Sequence, residues 1–96
     1  MVDQETAFQF ETLTVSTTVV LLTVPTSTQR GHRVVISCET AQCRFRYDGG
    51  SPTATVGHIL NPGDRLILEG RANILGFRVI RSGSVDAVLQ VTLETI

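Results

Sequence analysis

The sequence has no lysine and no tryptophan, one tyrosine and two cysteines among its 96 residues. All eight basic residues are therefore arginines, and the formal net charge is -1. A general nucleic-acid binder usually carries a basic excess, so this charge argues against that class. Two cysteines are too few for a disulfide scaffold or a complete cysteine zinc site. The absence of tryptophan leaves few aromatic side chains for a sugar-binding platform.

Long hydrophobic runs are also absent. The longest, residues 19–22, is far shorter than the roughly 20 residues of a membrane-spanning helix. Residues 1–6 are acidic and polar, unlike a signal peptide. They lack periodicity, which predicts a flexible N-terminal arm. We expect a soluble protein with no membrane partner, made in a cytoplasm, in which residues 7–96 form one domain.

Short apolar segments, separated by turn-forming residues, make up most of the chain. Several of them alternate between apolar and polar residues with a period of two, as half-buried strands do. No stretch of about ten residues has helical periodicity. The pattern predicts an all-β fold, a single antiparallel β-sandwich or small barrel of seven to eight strands.

The first half of the chain carries three further predictions. In residues 7–15 the apolar positions shift by one residue, which predicts a strand with an irregularity, a bulge or a bend, near Glu11 and Thr12. Residues 19–24 are a continuous run of β-branched residues and leucine, which predicts a strand that is covered on both faces or lies in a subunit interface. Residues 25–33 predict a polar loop.

The second half ends in two strands and their turns. Residues 61–64, Asn-Pro-Gly-Asp, fit a type II turn with glycine where a positive φ is needed. Residues 74–81 predict a strand, and residues 82–84 predict a hairpin turn into a final alternating strand over residues 85–94.

Residues 44–60 are the most informative stretch. Phe45 and Tyr47 share the phase of Cys43, which predicts core positions for all three. The Asp-Gly-Gly-Ser-Pro sequence that follows is strong turn chemistry, and Pro52 cannot donate a ladder hydrogen bond. We therefore expect a loop wider than a two-residue hairpin.

The two cysteines are separated by a predicted turn. Their spacing would place Cys38 and Cys43 opposite each other across a hairpin, where a disulfide is geometrically possible. Free cysteine is also a common small apolar core residue. The sequence leaves both states open.

No catalytic, cofactor or metal site is predicted. His32 and His58 each lack a nearby acidic or cysteine partner, whereas a metal site needs three or four converging ligands. A cysteine–histidine nucleophile is disfavoured because both cysteines fall on core positions, where burial raises a thiol pKa. Asp48 and Asp64 lie in glycine- and proline-rich turns, where aspartate bonds the local backbone.

Three arginines alternate with apolar residues along their predicted strands, so their side chains should point to the side opposite the apolar ones. If their strands are adjacent, Arg44, Arg46 and Arg78 form a basic stripe on one sheet face. The stripe is either a solvated face balanced by Glu69 and Asp86 or a contact surface for an acidic partner. The candidate interface residues are Arg44, Arg46 and Arg78, with Gly49 and Gly50 in the adjoining loop and Val19, Val20, Leu21 and Leu22 in the apolar run.

Residues 47–53 resemble the Tyr-Asp-Gly-x-x-Pro-Thr hairpin of small immunoglobulin-like modules, such as the C-terminal domains of chitobiase-like enzymes. A longer pattern covers most of the chain and is similar to small structural proteins of tailed bacteriophage virions. Its segments are FETLTVS at residues 10–16, RFRYDG at 44–49, PTATVGH at 52–58, GDRL at 63–66 and FRVIRSG at 77–83, with a closing alternating strand.

This resemblance implies an immunoglobulin-like, non-enzymatic virion protein without cofactors. The first expectation is a capsid decoration (cement) protein that binds the major capsid protein as a homo-oligomer, a trimer, on the capsid surface after assembly in the host cytoplasm. It implies no nucleic-acid partner and no small-molecule substrate. Two alternatives remain: a phage neck, tail or head-fibre component, and an immunoglobulin-like carbohydrate-binding module.

Overall fold

The computed structural model describes residues 6–23 and 33–95. The predicted flexible arm lies outside this part of the chain except for Thr6, and the loop predicted at residues 25–33 lies outside it except for Arg33. Within the described residues there are eight strands and one short helix. In chain order they are β1 (Thr6–Val15), β2 (Val20–Leu21), β3 (Arg33–Glu39), β4 (Cys43–Arg46), β5 (His58–Leu60), β6 (Arg65–Glu69), α1 (Arg71–Leu75), β7 (Arg78–Arg81) and β8 (Ala87–Thr95).

The strands form two four-stranded sheets. Sheet I has the order β1-β8-β3-β6, and sheet II has the order β2-β7-β4-β5. Every strand pairing in the described residues is antiparallel. The predicted all-β sandwich of seven to eight strands is confirmed.

The core is formed by the inward faces of the two sheets. β3 and β8 bury every second residue, as their period-two pattern predicts. Phe45 and Phe77 stack near the middle of the core, with ring centroids 5.6 Å apart. Each large apolar side chain removed from water stabilises the fold by roughly 1.5–3 kcal/mol. Among the described residues, none of the buried side chains is polar or charged.

The turns expected around β5 are present. The connection between β4 and β5 spans residues 47–57, so the loop is wide. After β5, the Asp64 amide donates to the Asn61 carbonyl oxygen at 2.9 Å, and Gly63 has a φ of 92°. A positive φ at the third position is the signature of the predicted type II turn.

The strand predicted over residues 74–81 is only half correct. Ile74 and Leu75 belong to α1, and the strand begins at Arg78. Gly70, with a φ of 93°, turns the chain into the helix, and the Gly76 amide closes it by donating to the Ala72 carbonyl oxygen at 3.0 Å. A five-residue helix is too short for its 3.6-residue period to show in a sequence.

The predicted hairpin turn at residues 82–84 is wrong. β7 belongs to sheet II and β8 to sheet I, so the chain crosses from one sheet to the other here. An ion pair from Arg81 Nη1 to Asp86 Oδ1 at 2.6 Å spans the crossing. Ser82 Oγ donates to the Gln42 carbonyl oxygen at 3.1 Å. Serine and glycine favour any tight change of direction, so they did not distinguish a crossing from a hairpin.

The irregularity in β1 lies closer to the N-terminus than predicted. The register against β8 shifts between Ala7 and Gln9, and pairing is regular through Glu11 and Thr12. After this shift the side chains alternate regularly between the core and the outer face of sheet I. Phe10 lies on the outer face, with 63% of its surface exposed.

The two cysteines do not face each other across a hairpin, because β3 and β4 lie in different sheets. Cys38 and Cys43 are buried free thiols, and Cys38 Sγ lies within hydrogen-bond distance of the carbonyl oxygens of Ala41 and Leu60, at 3.3 and 3.7 Å. Burial raises the pKa of Cys43 to about 12 and also raises the pKa of Cys38. Protonated, buried thiols act as small core side chains rather than as nucleophiles.

Candidate functional site

The outer face of sheet II brings the three predicted arginines together. Arg46 on β4 lies directly opposite Arg78 on β7, and Arg44 lies two residues away on the same side of β4. Ile80 and Ile59 flank Arg44, and Leu21 lies opposite Arg78. These six residues are called the arginine face: Leu21, Arg44, Arg46, Ile59, Arg78 and Ile80.

The arginine face is partly apolar. Leu21 is 45% exposed and Ile59 is 46% exposed, and both lie beside guanidinium groups. The prediction required only that the strands carrying the three arginines be neighbours, and these strands, β4 and β7, are. A role for the face in binding a partner stays a prediction.

Each arginine of the face is held in place by hydrogen bonds. Arg46 donates from Nε and Nη2 to the two carboxylate oxygens of Asp48, at 3.1 and 2.7 Å. Arg44 and Arg78 each donate from Nη1 to a loop carbonyl oxygen, at 3.0 and 3.1 Å. The Nε of Arg44 is buried without a hydrogen-bond partner, a costly arrangement for a polar group. Each guanidinium group is therefore oriented by at least one hydrogen bond.

The carboxylates expected to balance the stripe lie elsewhere. Glu69 is on β6 in sheet I, 4.0 Å from Arg33, and Asp86 pairs with Arg81. The carboxylate beside the stripe is instead Asp48. Hydrogen bonds from Arg46 and from a backbone amide lower the pKa of Asp48 to about 2. The prediction that Glu69 and Asp86 neutralise the stripe is wrong.

Gly49 and Gly50 shape the loop beside Arg46. Gly49 has a φ of 88°, which favours glycine. A Cβ on Gly50 would lie 2.5 Å from Arg46 Nη2, so the guanidinium packs directly on the bare backbone. The Gly50 amide also donates to Asp48 Oδ1 at 3.1 Å. These glycines set the geometry of the Arg46–Asp48 pair.

The predicted interface run at residues 19–22 divides between core and surface. Leu22 is buried and Val20 packs against the core, whereas Leu21 faces outward. Val19 is half-buried. Leu21 is 45% exposed, so in the isolated chain the run is not covered on both faces.

Sequence reasoning missed a pocket at the end of β4. The Tyr47 pocket is a cavity of about 290 Å³ lined by Arg46, Tyr47, Asp48 and His58. Tyr47 was predicted to be a core residue, but it is 42% exposed. β4 ends at Arg46, so the alternation that buries Phe45 does not extend to Tyr47. The Tyr-Asp-Gly sequence itself was the signal that the strand ends there.

The described residues contain no cluster of three or more histidine, cysteine, aspartate or glutamate side chains able to hold a metal ion. His58 packs its ring against Phe45 at 5.3 Å and against Tyr47 at 6.0 Å. His32, the other histidine weighed as a ligand, lies outside the described residues.

No family model, curated protein or solved structure matches this chain. None of the helices in residues 6–23 and 33–95 is long and apolar enough to cross a membrane. The functional proposal therefore depends on the chain's own residues and on the resemblance of its segments.

Proposed function

We propose that the chain is a non-enzymatic structural protein of a tailed-bacteriophage virion, and specifically a capsid decoration (cement) protein. It binds the major capsid protein lattice on the outside of the head and stabilises the shell. The observation that carries this proposal is the arginine face, a surface suited to docking. It adds to the support from the segments that resemble virion proteins.

The chemistry of the arginine face suits an acidic surface with apolar patches. Guanidinium groups bind carboxylates through charge-assisted hydrogen bonds, and charge complementarity selects the partner. Arg44 and Arg78 supply most of this charge, because Asp48 already pairs with Arg46. Leu21 and Ile59 offer apolar area beside the charges. The orientation of Arg44, Arg46 and Arg78 is fixed before docking, which reduces the entropy lost on binding.

Self-association completes the proposal. A domain of this size has a small stability margin, and an oligomer adds buried surface. β2 is an edge strand that exposes Leu21, and edge strands are places where a second chain can pair. A cyclic trimer matches the three-fold positions of a capsid, and several weak contacts on one shell add through multivalency.

Co-sedimentation with phage heads that lack this protein tests the docking surface. Arg44→Glu combined with Arg46→Glu reverses the charge of two face residues and should abolish binding. Arg65→Glu is the matched control, because Arg65 is an exposed strand residue on sheet I. Full binding by the double variant, with its circular dichroism spectrum unchanged, would contradict the proposal.

Two further measurements test location and assembly. A cryo-EM map of the particle should show density for the sandwich on the head shell; density at the neck, tail or a fibre would favour the alternative virion roles. Sedimentation equilibrium should give the mass of a trimer, and a monomer at all concentrations would remove the oligomer from the proposal.

A further inference from the structure

We propose that the Tyr47 pocket binds a neutral saccharide unit. The inference does not rest on a virion function, because it uses only the pocket's own residues. The sequence argued against sugar binding on two grounds, the absence of tryptophan and a predicted core position for Tyr47. The exposure of Tyr47 removes the second ground.

The pocket has a rigid aromatic wall. The rings of Tyr47 and His58 lie 6.0 Å apart with 29° between their planes. Phe45 lies behind both, with ring centroids at 6.3 Å from Tyr47 and 5.3 Å from His58, and it stacks in turn on the buried Phe77. The exposed rings are thus supported by the core. Such a wall presents an apolar face to the C–H face of a sugar ring and keeps polar atoms at its edge.

The polar side of the pocket carries balanced charge. Arg46 and Asp48 form a two-bond ion pair at 3.1 and 2.7 Å. Their charges offset each other, so a free anion or cation gains little net attraction. Arg46 still has N–H groups that can donate hydrogen bonds to a ligand, and Asp48 has carboxylate lone pairs that can accept them. Hydroxyl groups both donate and accept, which makes a neutral polyhydroxylated ligand the best chemical match.

The pair is assembled before any ligand arrives. The guanidinium of Arg46 lies on Gly50, where a Cβ would come within 2.5 Å of Nη2. The Gly50 amide also donates to Asp48 Oδ1, at 3.1 Å. Binding therefore does not require these side chains to be ordered, a cost that otherwise weakens a small ligand.

The size of the pocket limits the ligand. At about 290 Å³ it lies at the small end of ligand sites, which run from about 300 to 1,000 Å³. One sugar ring fits this volume. We expect a dissociation constant of about 1 mM, typical of weak recognition through few contacts.

The site can be tested by titrating the isotope-labelled protein with glucose, galactose and N-acetylglucosamine. The amide chemical shifts are monitored during each titration. At least one sugar should shift the amides of Tyr47, Asp48 and His58 in a saturable manner. Tyr47→Ala should weaken this binding at least about tenfold, whereas Tyr47→Phe should retain most of it because the ring remains.

Controls separate the site from general effects. Phe10→Ala removes an exposed ring on the other sheet and should leave the titration unchanged. Sodium acetate and inorganic phosphate test for an anion site instead. Shifts at the pocket with these anions but with none of the sugars, or no localised shifts with any sugar at concentrations up to about 20 mM, well above the expected constant, would overturn the proposal. The amide spectrum of each variant reports folding in the same experiment.

Discussion

Alkaline pH should destabilise this fold through one buried thiol. Burial raises the pKa of Cys43 from 9.0 to about 12 in the folded chain, while the unfolded chain keeps the ordinary value. Between these two values the unfolded chain has released a proton that the folded chain retains. The free energy of unfolding therefore falls as pH rises, by up to about 1.4 kcal/mol per pH unit. Below the lower value both states are protonated and this group has no effect.

Urea unfolding of wild type and Cys43→Ala, at several pH values and with a thiol reductant, measures this contribution. From about pH 9 to about pH 10.5 the wild type should lose about 1.6 kcal/mol more than the variant. Cys43→Ala leaves a small void and should start from a lower stability at neutral pH. The prediction concerns only how steeply the free energy of unfolding falls with pH. A packing loss lowers that free energy equally at every pH.

Parallel curves for the two proteins would refute the reasoning. They would mean that the Cys43 thiol ionises as readily in the folded chain as in the unfolded one. A thiol in the dry contact between two sheets does not behave in that way. The raised pKa of Cys38 acts in the same direction. Because both proteins contain Cys38, its effect adds to the loss of each and largely cancels in their difference.

Two further pairs of variants test packing. Phe77→Ala should lower the free energy of unfolding by about 3–5 kcal/mol because it empties a fully buried position, whereas Phe10→Ala should change it by less than about 0.5 kcal/mol; equal losses in urea would contradict their assigned burial. Gly76→Ala should cost about 1–3 kcal/mol, since its Cβ would lie 2.9 Å from the Tyr47 carbonyl oxygen. Gly83→Ala, with no atom within 4 Å of its Cβ, is the matched control in thermal unfolding, and similar melting temperatures for the two variants would count against this close contact.

The sequence was most informative where a strand has one solvent-facing side and one buried side. In β3, Val34, Ile36 and Cys38 alternate with less buried neighbours, so period two alone identifies the strand and its inward side. The same pattern gave the outward direction of Arg44 and Arg46. Side-chain direction is a local property of a strand, and local sequence encodes it.

Sheet membership could not be predicted in the same way. Which strands are neighbours depends on distant packing, so the turn residues at 82–84 did not reveal that β7 and β8 lie in different sheets. The same limit explains the misassigned countercharges, because Glu69 and Asp86 are placed by the tertiary fold. Tyr47 was misjudged for a local reason, since the alternating pattern was extended one residue past the end of β4.

The position of β8 has a consequence for synthesis on the ribosome. β8 lies between β1 and β3 and is hydrogen-bonded to both. A nascent chain that has emerged only as far as Arg81 has no strand to join β1 to β3, so sheet I cannot close. We expect the native fold to appear only after residues 87–95 leave the exit tunnel, and the partner-less edge of β3 to be exposed to chaperones until then.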